Sequence, residues 1–86
     1  MKEQGNKKIK KLYVKSREAL DIETGFIKLD SALKLAGLAG TGGEAKVYIN
    51  EGEASVNGEV CFERGKKLYP GDMFEIFDRR MVISVK

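Results

Sequence analysis

Residues 26–72 read FIKLDSALKLAGLAGTGGEAKVYINEGEASVNGEVCFERGKKLYPGD, and this stretch decides the fold. It predicts, in chain order, a helix, a glycine-rich turn, a second helix, an Asn-Gly hairpin, a basic loop and a Pro-Gly-Asp turn. At its centre the second helix begins at Thr41, Gly42 and Gly43, where almost no side-chain bulk covers the first turn. Because a helix N-terminus carries partial positive charge and unpaired N–H groups, this bare start favours binding of a phosphate.

The first helix is predicted over residues 30–36 from one apolar face that repeats at helical spacing. Asp30 stands at its start, where a carboxylate caps the helix or favours the positive end of the dipole. Gly37 is placed to end it. The apolar face consists of Leu29, Ala32, Leu33 and Ala36.

The second helix is predicted from Gly42 to Glu51, with Thr41 and Glu44 as a capping box and Gly52 as its end. Its inward stripe is Ala45, Tyr48 and Ile49. Two glycines in a first turn cost about 1 kcal/mol each relative to alanine. Two explanations stay open: a tight turn that needs positive φ at Gly40 or Gly42, or a ligand that must come close.

The rest of the chain predicts strands and turns. A short strand is expected over residues 19–23, and Asn57-Gly58 joins residues 54–56 to residues 59–62 in a hairpin. Asn57 is therefore interpreted as a turn residue. A strand over residues 73–77 and a last strand follow, separated by a solvated turn at residues 78–80 that includes Arg79 and Arg80. Met81, Ile83 and Val85 are expected on one face of the last strand.

Composition restricts the class of protein. The 86 residues are enough for one domain, and 42% hydrophobic and 34% charged residues fit a globular chain. There is no histidine, and a lone cysteine matches none of the usual zinc spacings, so neither a metal site nor a cofactor is expected. No apolar run approaches the length of a membrane span. The single cysteine, Cys61, suits a reducing cytoplasm and a small apolar role.

The net charge of +3 conceals an asymmetry along the chain. Residues 1–17 hold seven basic residues and one acidic residue, whereas residues 18–86 hold nine basic and twelve acidic residues. This division predicts a basic N-terminal arm over residues 1–17, disordered or frayed, followed by a single domain over residues 18–86. Since the domain itself carries a net charge of −3, any nucleic-acid surface on it must be a local patch.

The order of these elements, and the residues at their junctions, resemble the S4 domain, the RNA-binding domain named after the fourth protein of the small ribosomal subunit. The resemblance covers residues 20–77, and the variant with Thr-Gly-Gly at 41–43 and Arg-Gly-Lys-Lys-Leu at 64–68 looks like the small stand-alone bacterial proteins of this type. The matching segments are IKLDSAL (27–33), AGL (36–38), GGEAK (42–46) through Ile49, GEASVNG (52–58) and KLYPGD (67–72).

The resemblance implies an α+β fold in which two short helices, the αL RNA-binding motif, pack on a small, mostly antiparallel sheet. It also implies a non-catalytic protein that binds structured RNA, ribosomal or transfer RNA, through its phosphate backbone and shape. That expectation agrees with the geometry of A-form RNA, whose deep, narrow major groove excludes side chains. A monomer is favoured, with RNA as the main partner and a ribosomal or protein partner as the other expectation.

The chain departs from the family pattern at both helix starts. Many members have an arginine where this chain has Lys28, and a Ser-Arg or Arg-Arg pair where it has residues 41–43. Lysine keeps the charge but loses the two-pronged grip of a guanidinium on phosphate. The candidate RNA-binding residues combine the bare helix start with the basic side chains near it: Lys28, Thr41, Gly42, Gly43, Lys46, Arg64, Lys66 and Lys67.

Three further interpretations compete with these assignments. Arg64, Lys66 and Lys67 also fit a solvated charged loop. A protein-interaction module that kept the fold and lost strong RNA binding is the alternative function, and a part of an RNA-modifying enzyme is a third. Among the tyrosines, Tyr48 is expected in the core, whereas Tyr69 beside Pro70 is better placed to be exposed and to stack on an unpaired base.

Overall fold

The computed structural model describes residues 17–86, in which two helices accompany a five-stranded sheet and a separate two-stranded ribbon. The predicted arm therefore lies outside the described residues, apart from Arg17, which opens the first strand. The helices are α1 (Leu29–Leu35) and α2 (Gly42–Asn50). The strands are β1 (Arg17–Ile22), β2 (Ile27–Lys28), β3 (Ala54–Val56), β4 (Glu59–Val60), β5 (Lys67–Leu68), β6 (Met73–Ile76) and β7 (Arg79–Val85).

The large sheet has the strand order β1-β7-β6-β3-β4. Its neighbours are antiparallel except for β1 and β7, which run parallel with Leu20 opposite Ile83. Strands β2 and β5 form the ribbon, also antiparallel. This architecture confirms the predicted α+β class with a mostly antiparallel sheet.

Side-chain alternation sets the inner face of the sheet. Leu20 and Ile22 of β1 are buried, and Phe74 of β6 is fully enclosed. In β7 the predicted face is confirmed for Met81 and Ile83. Val85 follows at the same two-residue spacing, at the end of the strand, and is 68% exposed.

The helices cover this face with the stripes that their spacing predicted. Leu29, Ala32 and Leu33 of α1 and Ala45 and Ile49 of α2 are completely buried. Tyr48 is partly buried and packs its ring edge-on against Phe77, with centroids 5.1 Å apart. Helix α1 ends at Gly37 (φ +77°) and helix α2 at Gly52 (φ +79°), where glycine adopts a left-handed conformation at little cost.

The structure confirms one predicted turn and places another at different residues. Asn57 and Gly58 both have positive φ, 51° and 92°, as the Asn-Gly hairpin requires. The turn before the last strand lies at Phe77 and Asp78, not at residues 78–80. The interpretation of Arg79 and Arg80 as a solvated turn is therefore wrong, because both belong to β7, where their backbones pair with β6.

Candidate nucleic-acid interface

The basic loop after the hairpin lies across the start of helix α1. The Leu29 N–H donates to the Lys66 carbonyl at 2.9 Å, and the Asp30 N–H donates to the Arg64 carbonyl at 3.0 Å. These two amides would otherwise be unpaired at the helix N-terminus. Asp30 adds a carboxylate in the first turn, and its Oδ1 accepts the Ser31 N–H at 2.7 Å. The loop backbone is thereby fixed within a residue or two of Lys28.

The ribbon brings a second basic residue directly opposite Lys28. In the β2–β5 register Lys28 pairs with Lys67 and Ile27 with Leu68. Leu68 is fully buried and Ile27 packs against the core, so the alternating side chains of Lys28 and Lys67 share the outer face. Like charges directly opposite each other destabilise a strand pair, so the mutual interaction of these two lysines does not favour the pairing.

We refer to Lys28, Arg64, Lys66 and Lys67 as the basic cluster. All four side chains are exposed, and within residues 17–86 none has a carboxylate within 4.0 Å. Three other cations of the described chain are neutralised, with Arg79 on Glu18 at 2.6 Å, Arg80 on Glu75 at 2.7 Å and Lys86 on Glu23 at 3.5 Å. The basic cluster is thus a local positive patch on a domain of negative net charge.

The start of helix α2 is capped, but not by the reciprocal box that the sequence predicted. Thr41 Oγ1 accepts the Glu44 N–H at 3.1 Å, as expected. The Glu44 carboxylate, however, accepts the Gly40 N–H at 2.6 Å instead of the Thr41 N–H. The acidic group of the predicted capping box therefore lies beside the candidate phosphate site, and only its bond to Gly40 was not evident from the sequence.

Neither glycine of this helix start is required by the fold. Gly42 and Gly43 do not have positive φ, nor does Gly40, so of the two explanations left open, the one that needs positive φ at Gly40 or Gly42 is wrong. A Cβ added to Gly42 would meet nothing within 4 Å, and one added to Gly43 would meet only Thr41 Oγ1 at 3.9 Å. Within the described range the N–H groups of both glycines donate to no protein acceptor. The surface here is bare, and close approach of a ligand stays as the open explanation.

Lys46 lies one turn into α2 and is exposed. It is four residues from Gly42 and so on the same side of the helix. No hydrogen bond, ion pair or ring contact among the described residues joins this helix start to the basic cluster. The fold thus assembles Lys28, Arg64, Lys66 and Lys67 into one group and leaves Thr41, Gly42, Gly43 and Lys46 as a second.

Asn57 has a structural role. Its Oδ1 accepts the Met73 N–H at 3.0 Å, and its Nδ2 donates to Asp72 Oδ1 at 3.2 Å. Asp72 Oδ2 in turn accepts the Tyr69 N–H at 2.8 Å. Asn57 is a turn residue, as predicted, and it connects the hairpin to the Pro-Gly-Asp turn.

Two aromatic side chains border the basic cluster, and sequence reasoning singled out only one of them. Tyr69 is exposed, as expected, and its ring lies 5.9 Å from that of Phe26. Lys67 Nζ lies 4.9 Å from the centroid of Phe26. The sequence contains the alternations Phe-Ile-Lys at 26–28 and Lys-Leu-Tyr at 67–69. The strand register places these two segments opposite each other.

Within residues 17–86 no group of three or more potential metal ligands occurs. In the same part of the chain, neither helix is long and apolar enough to cross a membrane.

Comparison with known proteins identifies a family and a relative. The family model described as S4 domain matches residues 20–84. The chain is also 46% identical over 57 residues to a protein of Bacillus subtilis (strain 168) named "Probable ribosome maturation protein RlbA". That match covers 66% of this chain and 80% of the relative. The family match spans the helices, the ribbon and nearly all of the sheet, so the chain belongs to the S4 domain family.

Proposed function

We propose that this chain is a non-catalytic RNA-binding protein that holds structured ribosomal RNA through its phosphate backbone. The observation that carries the proposal is the basic cluster, in which Lys28 and Lys67 face each other without an acidic partner in the described chain. A phosphate between two such lysines would offset the repulsion between their charges. The name of the Bacillus relative supports the choice of ribosomal RNA.

The bare start of α2 extends the proposed surface. There the amides of Gly42 and Gly43 would receive a second phosphate, with Thr41 at the cap and Lys46 one turn further along. The nearby Glu44 carboxylate weakens phosphate binding at this helix start, so we expect the basic cluster to contribute more of the RNA affinity. The proposed interface therefore comprises all eight candidate residues, led by Lys28 and Lys67.

The absence of histidine from the sequence removes the commonest general base and supports a role in binding. We expect the protein to act in the cytoplasm, since its one cysteine suits a reducing compartment.

The test measures binding of the full chain to purified ribosomal RNA and to a DNA duplex across a range of salt concentrations. Each lost phosphate contact should flatten the logarithmic salt slope by about 0.7–0.9. The variant Lys28→Gln with Lys67→Gln should therefore lower RNA affinity and lose about two contacts' worth of slope. Lys34→Gln is the matched control, because Lys34 is an exposed lysine in the last turn of α1.

Equal binding by the double variant and the wild type would remove the basic cluster from the interface. A version lacking residues 1–16, whose β1 is intact, separates the arm from the domain. If that version loses all RNA binding, while the full chain binds DNA as tightly as RNA, the basic arm is a generic polycation and the proposal fails.

A protein-interaction module is the second candidate function. Residues 18–86 carry a net charge of −3, and Val60 and Phe62 are 57% and 62% exposed at and beside the edge strand β4. Capture of a specific protein that survives nuclease treatment, together with unchanged RNA affinity in the lysine variant, would favour this function.

A further inference from the structure

The outer face of the β2–β5 ribbon carries aromatic as well as basic side chains. Lys28 faces Lys67 in the register. Two residues along each segment, the rings of Phe26 and Tyr69 lie next to each other. Their centroids are 5.9 Å apart and the ring planes are inclined by 53°. The intervening residues Ile27 and Leu68 point into the core. The fold thus sets two rings and two cations on one face of a short strand pair and the residues beside it.

These rings are not core residues. Tyr69 is 49% exposed and Phe26 is 37% exposed, although they flank a ribbon whose other face packs against the core through Ile27 and Leu68. Lys67 lies over the Phe26 ring with Nζ 4.9 Å from its centroid, so the cation and the rings form one continuous surface. Half-exposed aromatic faces beside unneutralised cations match the chemistry of a single nucleotide, which has a flat base and an anionic phosphate.

We propose that Phe26 and Tyr69 form a stacking site for one unpaired base of the RNA strand whose phosphates lie on Lys28 and Lys67. The inference deepens the proposed function and depends on it. A base inside a duplex is already stacked and cannot offer its face, so the site requires a bulge, a loop or a strand end beside the phosphates that the basic cluster holds. The ribbon would thereby distinguish RNA with an unpaired nucleotide from uninterrupted duplex.

The test uses the full chain and two RNA hairpins that differ in one feature. One hairpin carries a single bulged fluorescent adenine analogue, and in the other the same base is paired. Wild type should bind the bulged hairpin more tightly and change the fluorescence of the analogue. Tyr69→Leu should weaken binding to the bulged hairpin about tenfold, since base stacking on an aromatic ring has that magnitude. Its affinity for the paired hairpin and its salt slope should not change.

Two further variants keep the test decisive. Phe26→Leu leaves Tyr69 in place and should also reduce the preference for the bulged hairpin over the paired one. If one of the two aromatic variants fails to fold, the other still tests the stacking site. Phe77→Leu removes a ring of matched exposure, 50%, from the turn between β6 and β7 and should change neither affinity.

The outcomes separate this inference from the proposed function. If the lysine variant weakens binding to both hairpins while Tyr69→Leu and Phe26→Leu leave the preference intact, the stacking site is overturned and the phosphate site stands. If the wild type binds neither hairpin, or the lysine variant binds both normally, the proposed function fails and the inference fails with it.

Discussion

Asn57 connects two turns that lie far apart in the sequence. It adopts φ +51° in the hairpin, and its side chain bonds to the backbone of Met73 and the carboxylate of Asp72. Its own N–H donates to the Met73 carbonyl at 2.7 Å. A single residue thus supplies both the left-handed conformation of one turn and the polar partners of another. Since Asp72 also holds the Tyr69 amide, Asn57 indirectly supports the end of the ribbon.

Two substitutions at Asn57 separate these roles. Asn57→Gly keeps the positive φ and loses the side-chain bonds, so we expect a loss of about 1 kcal/mol in the free energy of unfolding. Asn57→Ala loses the same bonds and must also adopt a left-handed conformation, which adds about 1 kcal/mol. Urea denaturation measures both losses in the free energy of unfolding, and the dependence of that free energy on urea concentration should be the same for both variants and the wild type. Equal stability of the two variants would show that backbone conformation is not why asparagine is required.

Helix α2 is the element in which stability and the proposed function make opposite demands. Its cap is well formed, with Thr41 bonded to Glu44, yet two glycines follow where the structure has open space. Alanine would fit at Gly42 without strain, because its φ is not positive and a Cβ there meets nothing within 4 Å. A sequence selected for stability alone would favour alanine at this position.

The substitution Gly42→Ala tests that conflict. We expect the protein to become more stable by about 0.5–1 kcal/mol, because alanine loses less backbone entropy on folding. RNA affinity should fall several-fold if a phosphate approaches the Gly42 amide. Thermal unfolding and the binding assay on ribosomal RNA measure the two effects.

Asn50→Ala is the matched control for this prediction. It improves helix propensity at the other end of α2, where the side chain is exposed, and should leave RNA affinity unchanged. A Gly42→Ala protein that is stabilised and binds RNA normally would show that no ligand group comes close to this amide.

At the scale of the whole molecule, the first and last strands of the described chain lie side by side at one edge of the sheet. Strand β1 runs parallel to β7 along six residue pairs, and the Lys86 N–H donates to the Ile22 carbonyl at 2.9 Å. Across this seam Arg79 pairs with Glu18 at 2.6 Å, and both side chains are about two-fifths exposed. Beneath it Leu20 is 7% exposed and lies opposite Ile83. Apolar burial and an ion pair therefore both hold β1 on the sheet.

The buried Leu20 side chain should contribute more to the stability of the β1–β7 pairing than the Arg79–Glu18 ion pair does. We expect Leu20→Ala to cost about 2–3 kcal/mol in the free energy of unfolding, since it leaves a cavity under an edge strand. Glu18→Gln should cost less than about 1 kcal/mol, because a solvent-exposed ion pair is screened by water. Chemical denaturation of both variants checks the order. If Glu18→Gln is the more damaging change, the ion pair and not the apolar contact attaches β1.

Local sequence signals account for most of the elements. The apolar spacing at residues 29–36 and 45–49 determined both helices, and Asn57-Gly58 determined the hairpin, because these patterns depend only on neighbours along the chain. The same signals misplaced the turn before β7. Phe77 adopts φ +55°, which is uncommon for a residue of its kind, so the sequence pointed to the charged residues that follow it.

Some features of the candidate site could likewise be predicted from the sequence, and others could not. The sequence by itself determined which residues are basic, where the helix start is bare and that the domain carries a negative net charge. Only the tertiary structure decided that Lys28 faces Lys67, that Arg64 and Lys66 lie on the start of α1, that Arg79 and Arg80 are neutralised, and that Phe26 meets Tyr69. The physical reason is that most of these partners lie far apart in the sequence, with 61 positions between Arg79 and Glu18. They meet through strand register and backbone hydrogen bonds, which follow from how the whole chain buries its apolar surface.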